Sequence, residues 1–314
     1  MRVVVIGGTG HIGTYLVPRL VEAGHQVTCV CRQQRNPYHP NEAWKQVQLV
    51  SLDRSQLEQQ GKFGQAIADL NPQVVIDLIC FQIDSARQLV SALQGRLDHF
   101  LHCGTMWVHG HSVEVPTDET QPRHPFGDYG IQKAAIEDFL LREIDQRSLP
   151  TTVLHPGHIV GPGWLPINPA GNLNPAVFAQ LEQGQEVLLP NLGMETLHHV
   201  HADDVALGFM QALTHREQAV GECFHIVSAK ALTLRGYAES LATWYGQPAK
   251  LRFVPWEEFR QQVSAQDAHL TWDHIAHSPN GSIEKARRLL DYQPRYSSLE
   301  AIQQALSWLK NHSV

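Results

Sequence analysis

The run VVVIGGTGHIG (3–13) constrains this chain more than any other stretch. Four β-branched residues favour a buried strand, and glycines at Gly7, Gly10 and Gly13 then ask for a sharp turn. Next, HIGTYLVPRLVEAG (11–24) spaces its apolar residues as a helix does and stops at Gly24. Strand, glycine turn and helix in that order let backbone approach a pyrophosphate while helix N-terminal N–H groups bind it. A dinucleotide is the expected ligand; a merely structural turn is the alternative.

The same texture continues. Expected strands are QVTCVC (26–31), QVQLVSL (46–52), QVVIDLI (73–79), HFLHC (99–103) and TTVLHP (151–156). Between them, helices are expected at 62–70, 84–93 and 129–147. Continuous apolar strands alternating with helices argue an α/β fold: a doubly wound parallel sheet (Rossmann) of about seven strands, covered on both faces. After Pro156 the chain turns rich in Gly, Pro and Asn, and from 230 on helical stretches carry proline breaks. These features divide the chain into a dinucleotide-binding domain of 1–160, to which 195–228 return, and a smaller mixed substrate lobe of 161–194 and 229–314.

Composition narrows the partners. A chain of 314 residues, 43% hydrophobic and with net charge -7, is globular and has no basic stripe for a phosphate backbone, so nucleic acid is not expected. Five cysteines without a CxxC pair read as reduced thiols. The N-terminal apolar run is too short for a signal peptide, and no stretch reaches the roughly 20 residues of a membrane span. A cytoplasmic location, away from membranes, is expected.

Three side chains suggest chemistry. Tyr129 and Lys133 stand four apart and share one helix face. A free phenol has a pKa of about 10, and a nearby ammonium would draw it down toward a useful base. Thr105 ends the fifth strand with a hydroxyl. At the end of the second strand stand Cys31 and Arg32, then Arg35, with no acid; that charge pattern favours the 2′-phosphate of NADP over the free ribose of NAD. Asp53, after the third strand, suits either the adenine amino group or a loop cap.

With these residues in view, the chain resembles the extended short-chain dehydrogenase/reductases, the NAD-dependent epimerase/dehydratase family (UDP-glucose 4-epimerase-like). The resemblance rests on GGTGHIG, CGTMWVHG (103–110), DYGIQK (128–133), HPGHIVGPG (155–163), HVHADDVA (199–206) and SIEKARRLLDYQP (282–294). It implies that Thr105 hydrogen-bonds the reacting oxygen, Tyr129 is the acid/base, and Lys133 holds the nicotinamide ribose. It further implies cofactor contacts from Gly7, Thr9, Gly10, His11, Ile12, Gly13, Leu78, Pro156, His158 and Ile159. A homodimer through helices at about 84–94 and 129–147 is implied too.

Departures from the family pattern narrow the reaction. Family 4,6-dehydratases follow the catalytic Thr with Asp-Glu; here Met106 and Trp107 stand there and exchange no protons. UDP-sugar epimerases place an Arg shortly before the HV-x-D motif, where this chain has Leu197-His198-His199. Arg235 and Arg252 are candidates to replace it, or ordinary surface residues. Substrate contacts are expected from Trp107, His109, Asn172 and Asn174, with Trp164 offering a ring face. His198, His199 and His201 alternate along one strand, so one core histidine with solvent-facing neighbours is expected and no metal site. The expected activity is an NAD(P)-dependent sugar or sugar-nucleotide epimerase or oxidoreductase, not a 4,6-dehydratase. Alternatives are an NADPH-dependent carbonyl reductase of a non-nucleotide substrate, or a non-catalytic dinucleotide-binding sensor or assembly protein.

Overall fold

The computed structural model describes residues 1–32, 36–145 and 149–312. Arg35 and Arg147 therefore lie outside the described residues. Seven parallel strands form the central sheet: β1 (Arg2–Ile6), β2 (Gln26–Cys31), β3 (Gln48–Ser51), β4 (Val74–Asp77), β5 (His99–Cys103), β6 (Thr151–Pro156) and β7 (Cys223–Ile226). Their order is β7-β6-β5-β4-β1-β2-β3, so the winding reverses between β1 and β4. Such a reversal opens a crevice at the carboxyl ends of the strands.

Alternation along β1 explains the two layers. Val3 and Val5 face one core with Leu16, Val17 and Leu20 of helix α1 (Gly13–Glu22) and Phe209 of a second helix, Ala202–Thr214. Val4 and Ile6 face the other, with Phe63, Leu89 of α2 (Ile83–Leu93) and Ile136 of α3 (Gly127–Asp145). Each of these apolar side chains is essentially excluded from water, and each contributes roughly 1.5–3 kcal/mol by burial. The third strand is shorter than the sequence suggests, because a 3-10 turn (Glu42–Gln46) takes its first residue and Val47 caps that turn. Between β3 and Phe63–Ala68, an additional helix, Arg54–Gln59, starts on the Asp53 cap.

A third core joins Val160, Phe178, Val187, Leu197, Leu241, Phe259 and Ile302. Three small strand pairs surround it: His158–Val160 with His199–His201, Thr196–Leu197 with Leu232–Thr233, and Glu186–Pro190 with Lys250–Val254. This mixed lobe packs beside the carboxyl ends of the main sheet. Its pairing also corrects the reading of the three histidines. His198, His199 and His201 are all buried, because their strand is covered on both sides rather than on one.

Burial of so many imidazoles has an acid-side consequence. It holds His11, His99 and His199 down to about 3 and His201 to about 4, against an ordinary value near 6.5. Below about pH 6.5 the unfolded chain takes up protons that the native chain refuses, so stability falls as pH falls. The slope approaches about 1.4 kcal/mol per pH unit for each such histidine. Thermal midpoints should therefore be level above about pH 7 and drop steeply between about pH 6 and 4. A midpoint unchanged down to about pH 5 would mean that these rings protonate in the folded state.

Candidate functional site

Two connected cavities open at the carboxyl ends of the strands. The larger, about 640 Å³, is lined from the glycine turn, the ends of β2, β4 and β5, and the segment after β6. The smaller, about 280 Å³, lies toward the mixed lobe. Both include Thr105, Tyr129, Gly157, Ile159 and Trp164, so these residues stand where the cavities meet.

The glycine turn fits a pyrophosphate. Gly7 sits at φ +84°, and a Cβ there would meet Ile79 Cγ2 at 2.6 Å. At Gly13 a Cβ would lie 2.0 Å from the Gly8 carbonyl oxygen, so only glycine lets α1 pack this closely on the turn. No side chain caps α1 and no acid occupies its first turn, which leaves its positive end for an anion. Gly7, Thr9, Gly10, His11, Ile12, Arg32, Asp53, Leu78, Lys133, Pro156 and Ile159 all line the larger cavity. Gly13 stands behind it. Asp53 accepts a hydrogen bond from the Gln56 N–H, so it caps a helix as well as facing the cavity. Arg54 also faces it, but Glu58 and Asp77 hold its guanidinium. His158 lines the smaller cavity instead of the larger one, because its short strand turns it toward Trp107 and His274.

Thr105, Tyr129 and Lys133 come together as their spacing suggests, with one electrostatic difference. Lys133 is 2% exposed, and its ammonium donates to the carbonyls of Cys80 and Cys103, each at 2.7 Å. It lies 6.0 Å from the Tyr129 ring centroid. The Tyr129 ring is open to the cavity while burial of its hydroxyl pushes the pKa up to about 12, against the pull of a Thr105 hydrogen bond. Burial, with the Cys103 thiol beside it, sets that direction, while Lys133 aims its ammonium at two backbone carbonyls. Thr105 Oγ also accepts from the Trp107 N–H at 3.3 Å and so caps the short turn that follows β5.

The substrate side departs further from expectation. Trp107 lines the smaller cavity, but His277 stacks on one of its faces at 4.0 Å, and its other neighbours are Tyr129, His158 and His274. His109 lines neither cavity; it is buried against His155 and His225, because the turn after β5 carries it back over the sheet. Asn172 and Asn174 are also held elsewhere. Asn172 bonds Asn168 and Thr271, and Asn174 bonds Asp267 and caps the next helix. Arg235 and Arg252 sit in exposed ion pairs away from both cavities. Sequence reasoning missed Leu165, Ile167, Leu173 and Pro279 in the smaller cavity; apolar residues in irregular segments carry no signal of their own. Trp164, expected as a ring face, stacks on His11 at 4.9 Å and closes the larger cavity from the lobe side.

The profile of the NAD-dependent epimerase/dehydratase family matches residues 3–226. Among curated relatives, a 2′-dehydrokanamycin reductase of Streptomyces kanamyceticus is 25% identical over 88% of this chain and 76% of its own. The 41 kDa chloroplast stem-loop binding protein b of Arabidopsis thaliana is 25% identical over 96% and 77%. Among solved structures, the UDP-glucose 4-epimerase of Thermotoga maritima with UDP-glucose superposes with a TM-score of 0.75 at 20% identity, covering 100% of both chains.

The packing at Gly13 makes a direct expectation. Gly13→Ala should weaken NAD(P) binding by about tenfold or more, or ~1.4 kcal/mol, in a variant that still folds by circular dichroism. Titration of the dinucleotide reads it. Unchanged affinity would remove the turn from the cofactor site.

Proposed function

Because the chain belongs to the NAD-dependent epimerase/dehydratase family, we propose that it exchanges hydride and proton at one secondary alcohol or ketone carbon of a carbohydrate-like substrate. The observation that carries this reading is the meeting of Thr105 and Tyr129 where the two cavities join, with Lys133 beside them in the larger one. A nicotinamide dinucleotide bound along the glycine turn would supply the hydride donor or acceptor. The chain's own residues do the rest. Tyr129 gives its proton to the substrate oxygen, and Thr105 hydrogen-bonds the same oxygen. Lys133 holds the ends of β4 and β5 at a fixed distance from α3 and directs positive charge toward the reacting region. The lobe of 161–194 and 229–314 supplies the apolar walls that keep water out.

A phenol is protonated at neutral pH and burial favours that form further, so Tyr129 serves as the acid when a carbonyl is reduced. The walls of the smaller cavity support a substrate without a nucleotide. Met106, Trp107, Leu165, Ile167 and Leu173 line it, and no carboxylate or guanidinium does so among the described residues. A diphosphate would be left without a bidentate partner there. For the same reason 4,6-dehydration is disfavoured: Met106 is buried and Trp107 is packed between rings, so neither place offers a proton-transfer group. We therefore rank an NAD(P)H-dependent reductase of a non-nucleotide ketone beside a sugar epimerase. An RNA-associated role has less support, given a net charge of -7 and the intact Tyr129 and Lys133.

Tyr129→Phe should lower kcat by about 100-fold or more while dinucleotide affinity changes less than about threefold. Substrate-panel turnover with product NMR measures the first and titration the second; near-normal turnover would overturn the assignment. For the cofactor, Arg32 lines the larger cavity where β2 ends without an acid, which supports NADP. Arg32→Ala should weaken NADPH binding by about tenfold and NADH binding little. Equal losses for both would leave no 2′-phosphate contact at Arg32.

A further inference from the structure

Three histidines that the reaction does not use meet on the face of the sheet covered by α3. His155 on β6 and His225 on β7 are register partners on neighbouring parallel strands, so their side chains leave the same face. His109 arrives from the short turn after β5. Each ring offers a nitrogen, and these atoms lie within 4.8 Å of one another; His109 Nε2 and His225 Nε2 are 2.9 Å apart. His109 is 6% exposed and the other two are fully buried.

We propose that His109, His155 and His225 bind one borderline divalent cation of the Zn²⁺ type in a buried site, with three imidazole nitrogens and a water as the fourth ligand. Tetrahedral Zn²⁺ takes imidazole nitrogen at about 2.0–2.1 Å, which separates two ligand nitrogens by about 3.3 Å. The 2.9 Å pair then opens by about 0.4 Å, and the third nitrogen, within 4.8 Å of the others, moves in by up to about 1.5 Å. Glu137 on α3 pairs with His155 Nε2 and with Arg123. A carboxylate behind an imidazole sets its tautomer and orientation, as it does for metal-bound histidines. The opposite nitrogen, His155 Nδ1, is buried and has no hydrogen-bond partner. A second buried carboxylate, Glu119, accepts the His225 backbone N–H, so the charge entering this pocket meets acids on two sides.

The site lines neither cavity, which excludes contact with substrate. Its effect is mechanical: it pins the turn that begins at Thr105 to β6 and β7. The expectation of no metal ligands was argued from His198, His199 and His201 alone. Those rings do not converge. His198 accepts from the Gly281 N–H and bonds the Ser228 carbonyl, while His201 caps the helix Ala202–Thr214.

The test uses full-length protein without a histidine tag. After chelation, Co²⁺ is titrated and its tetrahedral absorption read, zinc content is measured by mass spectrometry, and thermal midpoints are compared with and without Zn²⁺. About one equivalent of metal, a tetrahedral spectrum and a rise of about 5 °C are expected. His109→Gln and His225→Gln should each lose that equivalent and the rise, while Tyr129→Phe keeps both. His109→Gln changes a turn rather than a sheet strand, so it reports even where His225→Gln fails to fold. A wild-type protein with no bound zinc and no cobalt spectrum would overturn the proposal. So would a spectrum that survives in His109→Gln.

Discussion

The buried ammonium of Lys133 is the contact on which the arrangement of the site depends. An isolated charge at that depth would cost several kcal/mol, so it must find acceptors. The carbonyls of Cys80 and Cys103 provide them, one just after β4 and one at the end of β5. Each such charge-assisted bond is worth about 1.5–3 kcal/mol. Together they set the register of α3 against the sheet. Tyr129, one turn earlier on the same helix face, is thereby held beside Thr105, and the strand end and the helix meet at one point. The cleft follows from the same geometry, since it opens where the winding reverses and where these strand ends converge.

The histidines fall into sets with different physics. His198 is a satisfied structural group, and His201 caps a helix through Nδ1. His158, His274 and His277 form an aromatic wall around Trp107, where burial keeps them uncharged and makes them behave as flat apolar rings. His109, His155 and His225 bring ring nitrogens together instead of ring faces. A single count of nineteen histidines in the sequence contains all three behaviours and distinguishes none of them.

Much of the fold was legible because it depends on local rules. β-branched runs of the right length, helical spacing in 11–24 and glycines at 7, 10 and 13 each answer to a near-neighbour constraint. So does the four-residue step from Tyr129 to Lys133, which any helix turns into a shared face. Less legible were His109, Asn172 and Asn174. Their motifs matched family positions, yet their side chains satisfy Asn168, Thr271, Asp267 and other histidines, because the local backbone turns them away from the cavities. The acid/base strength of Tyr129 was also beyond spacing, since it depends on how deeply the fold buries the phenol.

The sequence by itself determined the parallel α/β sheet, the glycine turn after β1 and the presence of a Thr, a Tyr and a Lys near one another in motif order. All of these rest on interactions within one element or between consecutive ones. Tertiary structure alone decided which residues wall the smaller cavity, that no ionic side chain enters it among the described residues, and that His155 faces His225 across two strands 70 positions apart in the chain. The reason is that strand order and the folding back of irregular segments bring distant residues together, and neither leaves a periodic trace in the residues themselves.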